Sequence, residues 1–224
     1  GCWQVTTASG ETLTAHNLIA ATGQLNRPLL PNIDGLDSFA GPAFHSAEWQ
    51  HDVDLKGKRV AVIGTGASAI QFVPQIVPEV AQLDLYQRNA AWVLPKDDAE
   101  YSDNRRRWLS RLPLLHTLDR AWQYLSHEVR ALGFVHFTSL VKSSEKAALR
   151  HLERQVSDPA KRAALTPDYP MGCKRILISN NYYPALNQPN VSIVTAGIEK
   201  VVPEGAVTRD GTLHPADVLI YGTG

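Results

Sequence analysis

Lys58-Arg59-Val60-Ala61-Val62-Ile63-Gly64-Thr65-Gly66-Ala67-Ser68-Ala69 decides the fold. A basic start followed by an unbroken apolar run is the pattern of a strand buried on both faces of a parallel sheet. The run feeds into Gly-x-Gly-x-x-Ala. Ala67 to Val77 reads as the helix that follows, with Pro74 expected to shorten or kink it. Leu83-Asp84-Leu85-Tyr86-Gln87 then supplies a second strand about 20 residues on, which completes a βαβ unit and predicts a Rossmann-type α/β fold. A pyrophosphate needs backbone N–H groups at a helix N-terminus and a turn without bulky Cβ substituents, and Gly64 and Gly66 meet that need. Ala69 stands where a third glycine is usual, so helix and strand are expected slightly further apart, a tolerated variation. Gly64, Thr65, Gly66, Ala67, Ser68 and Ala69 are therefore the candidate dinucleotide-binding residues, with Ser68 and Gln71 placed toward the pyrophosphate or the nicotinamide side.

The tip of the second strand chooses the cofactor. A carboxylate there accepts a hydrogen bond from the ribose 2′-hydroxyl of NADH, whereas a guanidinium complements the 2′-phosphate of NADPH. The tip reads Gln87-Arg88, and Asp84 lies too early in the strand to reach it. NADPH is favoured, with Arg88 making charge-assisted contacts. The alternative for Arg88 is a solvated arginine at a strand end.

The whole chain has 224 residues, 44% of them apolar, and balances 22 basic against 22 acidic side chains. That length suits one full domain plus pieces, and the balance favours neither nucleic acid nor an acidic membrane as partner. With no apolar run of about 18 residues and no signal-peptide layout, a soluble, cytoplasmic protein is expected. Cys2 and Cys173 form no CxxC, and the eight histidines include no HExxH or similarly tight pair, so no metal site is expected.

Trp3 to Thr7 and Leu13 to Ala21 read as a hairpin joined by Ala8-Ser9-Gly10-Glu11, ending at Ala21-Thr22-Gly23. Residues 24–57 carry Pro28, Pro31 and Pro42 with little periodicity and read as an irregular linker. From about 98 to 165, Trp108, Leu112, Leu115, Leu118, Trp122, Leu125, Val129 and Leu132 recur at helical spacing, interrupted early by Pro113. Leu149, Leu152 and Val156 mark a second helix, and Asp158-Pro159 caps a short one. Strands return at Arg175 to Ile178, Val191 to Val194, Ile198 to Val202 and Val218 to Tyr221, with a turn at Arg209-Asp210-Gly211. Both ends, at Gly1 and at Gly222-Thr223-Gly224, read as cuts through a domain.

Phe39-Ala40-Gly41-Pro42-Ala43-Phe44-His45-Ser46-Ala47-Glu48-Trp49 resembles the FxGxxxHxxxW fingerprint of type I Baeyer–Villiger monooxygenases. Further matches are Ala21-Thr22-Gly23, Gln87-Arg88, Met171-Gly172-Cys173-Lys174-Arg175 and Gly222-Thr223-Gly224. In the broader flavin-containing monooxygenases the final aromatic is usually Tyr or Phe before a basic residue, so Trp49 favours the Baeyer–Villiger branch. Gln50 departs from the proline common there and leaves the substrate class open. The resemblance implies residues 1–23 as the tail of an FAD-binding domain and 24–57 as a linker carrying the fingerprint. It further implies 58–221 as an NADP-binding domain with a helical insertion, and 222–224 as the return to the FAD domain.

By the same resemblance Lys174 joins Arg88 on the 2′-phosphate, and Arg175 is the catalytic residue, stabilising the negatively charged peroxyflavin. A guanidinium suits that task because it holds an anion without acting as an acid. His45 is assigned no chemistry beyond organising domain motion, and Trp49 is a packing anchor. The implied enzyme uses NADPH, FAD and O2 to convert a ketone into an ester or lactone, and the chain alone is expected to be inactive. Three alternatives stay open. They are an N- or S-oxygenating flavin monooxygenase acting on a heteroatom substrate, an NADPH-dependent flavoprotein disulfide or ferredoxin reductase, and a non-catalytic NADP-sensing module.

Overall fold

The computed structural model describes residues 1–23, 27–96, 98, 100–136 and 138–223, with the side chains of 129–140 outside that description. The chain opens with a hairpin of β1 (Trp3–Thr6) and β2 (Thr12–Ala15), paired from Trp3 opposite Ala15 to Thr6 opposite Thr12. The second strand was expected to reach Ala21 but stops at Ala15. Residues 16–23 are exposed coil, Ile19 being 87% exposed, because no described neighbour offers their backbone a ladder or their side chains a face.

Five strands make the main sheet: β3 (Ala43–His45), β4 (Arg59–Ile63), β5 (Gln82–Tyr86), β8 (Val191–Val194) and β12 (Val218–Tyr221). All are parallel, in the order β3-β12-β4-β5-β8. The segment 24–57, expected to be irregular, thus supplies β3 to the sheet edge. Three residues are too few to show alternation, and only the partner β12 makes them a strand. Helix α1 (Ala69–Ile76) crosses from β4 to β5 with Pro74 inside it, where the missing N–H removes one helical bond.

The helical insertion is present. Strand β6 (Val93–Leu94) precedes α2 (Asp103–Arg111), α3 (Pro113–His136), α4 (Thr138–Gln155) and α5 (Pro159–Ala164). Pro113 opens α3, and Leu112 before it is pushed to an extended conformation (φ −121°, ψ 95°), which ends α2. Asp158 caps α5, accepting from the N–H of Ala160 at 2.8 Å. The expected apolar stripe, however, faces outward: Trp108 is 60% and Trp122 72% exposed, and Leu112, Leu118 and Leu125 are exposed with them. Arg105 of α2 instead donates to Asp119 of α3, whose carboxylate also accepts from Tyr101, just before α2, and from Gln123 on its own helix. Val129 and Leu132 lie outside the described side chains. The insertion reaches the core through Leu152 of α4 and Val156 just after it, both buried.

Strand β7 (Leu177–Ile178) pairs with β6, so the strand expected over Arg175 to Ile178 is halved and Arg175 lies outside it. Helix α6 (Tyr182–Leu186) leads into β8, and an antiparallel sheet of β9 (Ile198–Val202), β10 (Gly205–Thr208) and β11 (Leu213–Pro215) precedes β12. Both faces of the main sheet are covered. Val60, Val62, Leu83, Leu85, Val218 and Ile220 pack with residues of α1, α4 and α6. Ala61, Ile63, Tyr86, Leu219 and Tyr221 pack with Val201 of β9 and Ala206 of β10. Two-sided burial explains why β4 and β12 are continuous apolar runs.

The N-terminal ends of β4 and β12 are fastened by Arg59 and Asp217. The Asp217 carboxylate accepts from the Arg59 backbone N–H at 2.8 Å and from its guanidinium at 2.6 and 3.2 Å. An exposed ion pair contributes less than one buried aliphatic side chain, about 1.5–3 kcal/mol, so the core holds the sheet and the pair sets its end. These bonds from Arg59 hold the Asp217 carboxyl down at about 2. Its contribution to stability is therefore complete above the usual carboxylate pKa near 4 and is lost as pH falls toward 2. Denaturant unfolding between pH 5 and 2 is expected to show a steeper loss in the native protein than in Asp217→Asn; parallel curves would count against this fastening.

Candidate functional site

In an open parallel sheet, ligands bind beyond the C-terminal strand ends where the chain order reverses direction. Here that point lies between β4, which continues to β5, and β12 on its other side. The turns after both strands carry glycine. Gly64 has φ +113°, and a Cβ there would lie 2.7 Å from the carbonyl oxygen of Gly222. A Cβ on Gly66 would meet only that oxygen, at 3.9 Å. The two motif glycines therefore differ in purpose: Gly64 lets two protein turns touch, and Gly66 leaves open the approach to α1.

Gly64, Thr65, Gly66, Ala67, Ser68 and Ala69 run along this turn into the start of α1. The N–H groups of Gly66, Ala67 and Ser68 meet no protein acceptor among the described residues. Donors at a helix N-terminus, backed by the helix dipole, suit an anion. Ser68 makes no side-chain cap bond, so its hydroxyl is uncommitted. Gln71, by contrast, turns its amide back on its own turn, donating to the Ala67 carbonyl at 3.0 Å. Ala69 is fully buried, its Cβ 3.6 Å from where a Cβ on Gly222 would lie.

At the tip of β5, Gln87 is buried and donates to the Ala164 carbonyl at 2.7 Å, tying the strand end to α5. Arg88 and Asn89 then emerge exposed. Lys174, 85 positions further along the chain, donates to the Asn89 side-chain oxygen at 2.8 Å. Lys174 is thus brought to the residue that follows Arg88, and neither cation forms an ion pair among the described residues. Asp84 is held away from the tip by Gln82, which donates to it at 3.0 Å, with His214 3.7 Å from its other oxygen. Positive charge without a carboxylate is the arrangement that a 2′-phosphate requires. Arg175 is exposed on the same loop as Lys174, and no described contact ties it to the glycine turn.

His45 holds the second glycine turn. Its Nδ1 accepts from the Ala47 N–H at 3.1 Å, which leaves Nε2 to donate to the Thr223 carbonyl. Trp49 lies between Phe44 and Phe72, with ring centroids 5.2 and 5.3 Å away, and so clamps α1 to β3. Nothing in the sequence pointed to Asn89, to Tyr169 or to the touching of Gly64 and Gly222, since each depends on residues distant along the chain.

A profile of the pyridine nucleotide-disulphide oxidoreductase family matches residues 1–112, half of the chain, including the glycine turn and the β5 tip. The chain belongs to that family. It is 49% identical over 222 residues to a Baeyer–Villiger monooxygenase of Pseudomonas aeruginosa, covering 99% of this chain and 42% of the relative. It is 46% identical over 222 residues to a Baeyer–Villiger monooxygenase of Streptomyces coelicolor, covering 99% of this chain and 43% of the relative. The crystal structure of OTEMO in complex with FAD and NADP matches all of this chain and 50% of its own, at TM-score 0.80 and 30% identity. Cyclohexanone monooxygenase with ε-caprolactone bound matches at TM-score 0.80 and 26% identity, over all of this chain and 51% of its own. The chain thus spans under half the length of these curated relatives. Its homologues are monooxygenases, and the matching OTEMO structure holds FAD and NADP. Among the described residues no helix is long and apolar enough to cross a membrane.

The unequal roles of the glycines are testable by comparing two substitutions. Gly64→Ala is expected to cost about 2–4 kcal/mol of stability, from the positive φ and the overlap with Gly222. Gly66→Ala should leave stability nearly unchanged while weakening dinucleotide binding. Equal destabilisation in thermal unfolding would contradict the division.

Proposed function

We propose that this chain is the NADPH-binding portion of an FAD-dependent monooxygenase that converts a ketone into an ester or lactone. In the balanced reaction one atom of O2 enters the ester and the other leaves as water, the two reducing electrons coming from NADPH. Residues 58–221 serve as the NADPH domain, with the insertion over about 98–165. Residues 1–23 and 222–224 belong to an FAD-binding unit, and 24–57 connects the two while lending β3 to the sheet. Dependence on NADPH, a reductant regenerated inside the cell, supports a cytoplasmic site for the reaction.

The observation that carries the reading is the meeting of Lys174 with Asn89 beside Arg88, which gathers positive charge at the tip of β5. The diphosphate lies over the N–H groups of Gly66, Ala67 and Ser68, where the missing Gly66 side chain leaves room. Thr65 and Ala69 border it, and Gln71 stands at the nicotinamide side. Arg88 and Lys174 bind the 2′-phosphate. The chemistry supplied by bound FAD is two-electron transfer from NADPH to O2. Arg175 contributes a permanent positive charge toward the flavin, and a guanidinium there supports anionic character without donating its proton. The likeness to two Baeyer–Villiger monooxygenases supports a ketone over a heteroatom as substrate. The lack of any CxxC is in keeping with oxygenation rather than disulfide reduction.

Two measurements test this reading. Arg88→Ala should raise the Kd for NADPH about 10–100-fold and leave that for NADH within about twofold, the span of hydrogen bonds to charged groups; an equal loss for both would remove the cofactor assignment. With the whole protein, NADPH, 18O2 and a panel of linear, cyclic and aromatic ketones, esters or lactones carrying one 18O atom are expected. Arg175→Ala should abolish them without changing NADPH affinity. Sulfoxides or N-oxides as the only products would point to heteroatom oxygenation instead.

A further inference from the structure

We infer that Asn89 and Tyr169 are specificity-determining positioning residues, forming a built seat that presents the Lys174 ammonium to the adenosine 2′-phosphate. The inference rests on the NADPH reading above. A lysine ammonium is a point charge on a flexible four-carbon stem, and freezing that stem on binding costs rotamer entropy. Here the stem is already placed. Its Nζ lies 4.6 Å from the centre of the Tyr169 ring while donating to the Asn89 side-chain oxygen at 2.8 Å. Both partners hold the ammonium without neutralising it: an amide oxygen and a π face attract a cation, yet neither carries the charge that would repel a phosphate.

The seat is itself anchored. The Tyr169 carbonyl accepts from the indole N–H of the buried Trp92 at 2.8 Å. Two residues on, the Met171 N–H donates to a Glu145 carboxylate oxygen at 3.0 Å, and Met171 packs with Trp92 and Ala148. The loop bearing Lys174 is therefore fixed to α4 and to the segment that follows β5. Asn89 needs no such anchor, because it directly follows Arg88 and the buried Gln87. One of the two phosphate-binding cations is thus preset, while Arg88, which forms no ion pair among the described residues, is free to close on the ligand.

The test uses adenosine 2′,5′-bisphosphate and 5′-AMP, which differ only by the 2′-phosphate, in calorimetric titrations of the purified protein and its variants. Tyr169→Leu is expected to weaken binding of the bisphosphate about two- to fivefold, and Asn89→Ala about three- to tenfold, with 5′-AMP unchanged. Tyr169→Phe, which keeps the ring, should bind as the native protein does. Asn89→Asp should lose discrimination between the two nucleotides more completely than Asn89→Ala, because the seat survives but its charge is cancelled. If Lys174→Ala loses discrimination while Tyr169→Leu and Asn89→Ala keep it, the seat plays no part and the inference fails. If a variant loses both nucleotides equally, its effect is general damage and the inference also fails. A native protein that does not distinguish the nucleotides would overturn the NADPH reading itself.

Discussion

The architecture depends on two backbone turns that touch. With Gly64 at φ +113° and its missing Cβ filled by the Gly222 carbonyl, the chain ends of β4 and β12 close on each other at the point where strand order reverses. That contact sets the angle at which the chain enters α1, and with it the direction of the free N–H groups after Gly64. His45 reinforces it from the sheet edge by bonding Thr223, and Trp49 reinforces it from above by holding Phe72 of α1. The fingerprint segment is thereby a structural brace for the nucleotide cradle, made of one hydrogen-bonded imidazole and one packed indole.

The proposed selectivity for NADPH belongs to the neighbouring C-terminal end of β5, where the Tyr86 carbonyl accepts from the Gly64 N–H at 3.2 Å. Gln87 is buried and bonded to the Ala164 carbonyl, so the strand tip cannot fray, and the next residues emerge at a fixed place. The insertion then returns a loop carrying Lys174 to the same spot, pinned through Trp92 and Glu145. The helices between serve this return unequally. Leu152 of α4 and Val156 just after it enter the core, while α2 and α3 are joined by Arg105 and Asp119 and keep their tryptophans exposed.

What the sequence disclosed follows from how local each feature is. Strands β4 and β12 were legible because burial on both faces forces unbroken apolar runs such as Val60 to Ile63 and Val218 to Tyr221. Their order was not, since nothing within Val218 to Tyr221 says that it lies between β3 and β4. Ala43 to His45 is too short to show a period, and Leu18 to Ala21 is apolar but has no strand partner among the described residues. The period of Trp108 to Leu125 foretold helix correctly but not its exposure, because spacing fixes which residues share a side and not what covers them. For the proposed site, the glycine motif and Arg88 are local features of the sequence. The motif assigned both glycines to ligand approach, whereas Gly64 is needed by Gly222. Asn89 and Tyr169 were invisible, being ordinary residues that matter only through Lys174.

The most direct test of the central claim is a crystal structure of the protein with NADP+ bound. The diphosphate should lie within hydrogen-bond distance of the Gly66 to Ser68 N–H groups, with the 2′-phosphate between the Arg88 guanidinium and the Lys174 ammonium. A dinucleotide bound with its adenosine away from the β5 tip, or with its diphosphate away from the turn after β4, would contradict the account.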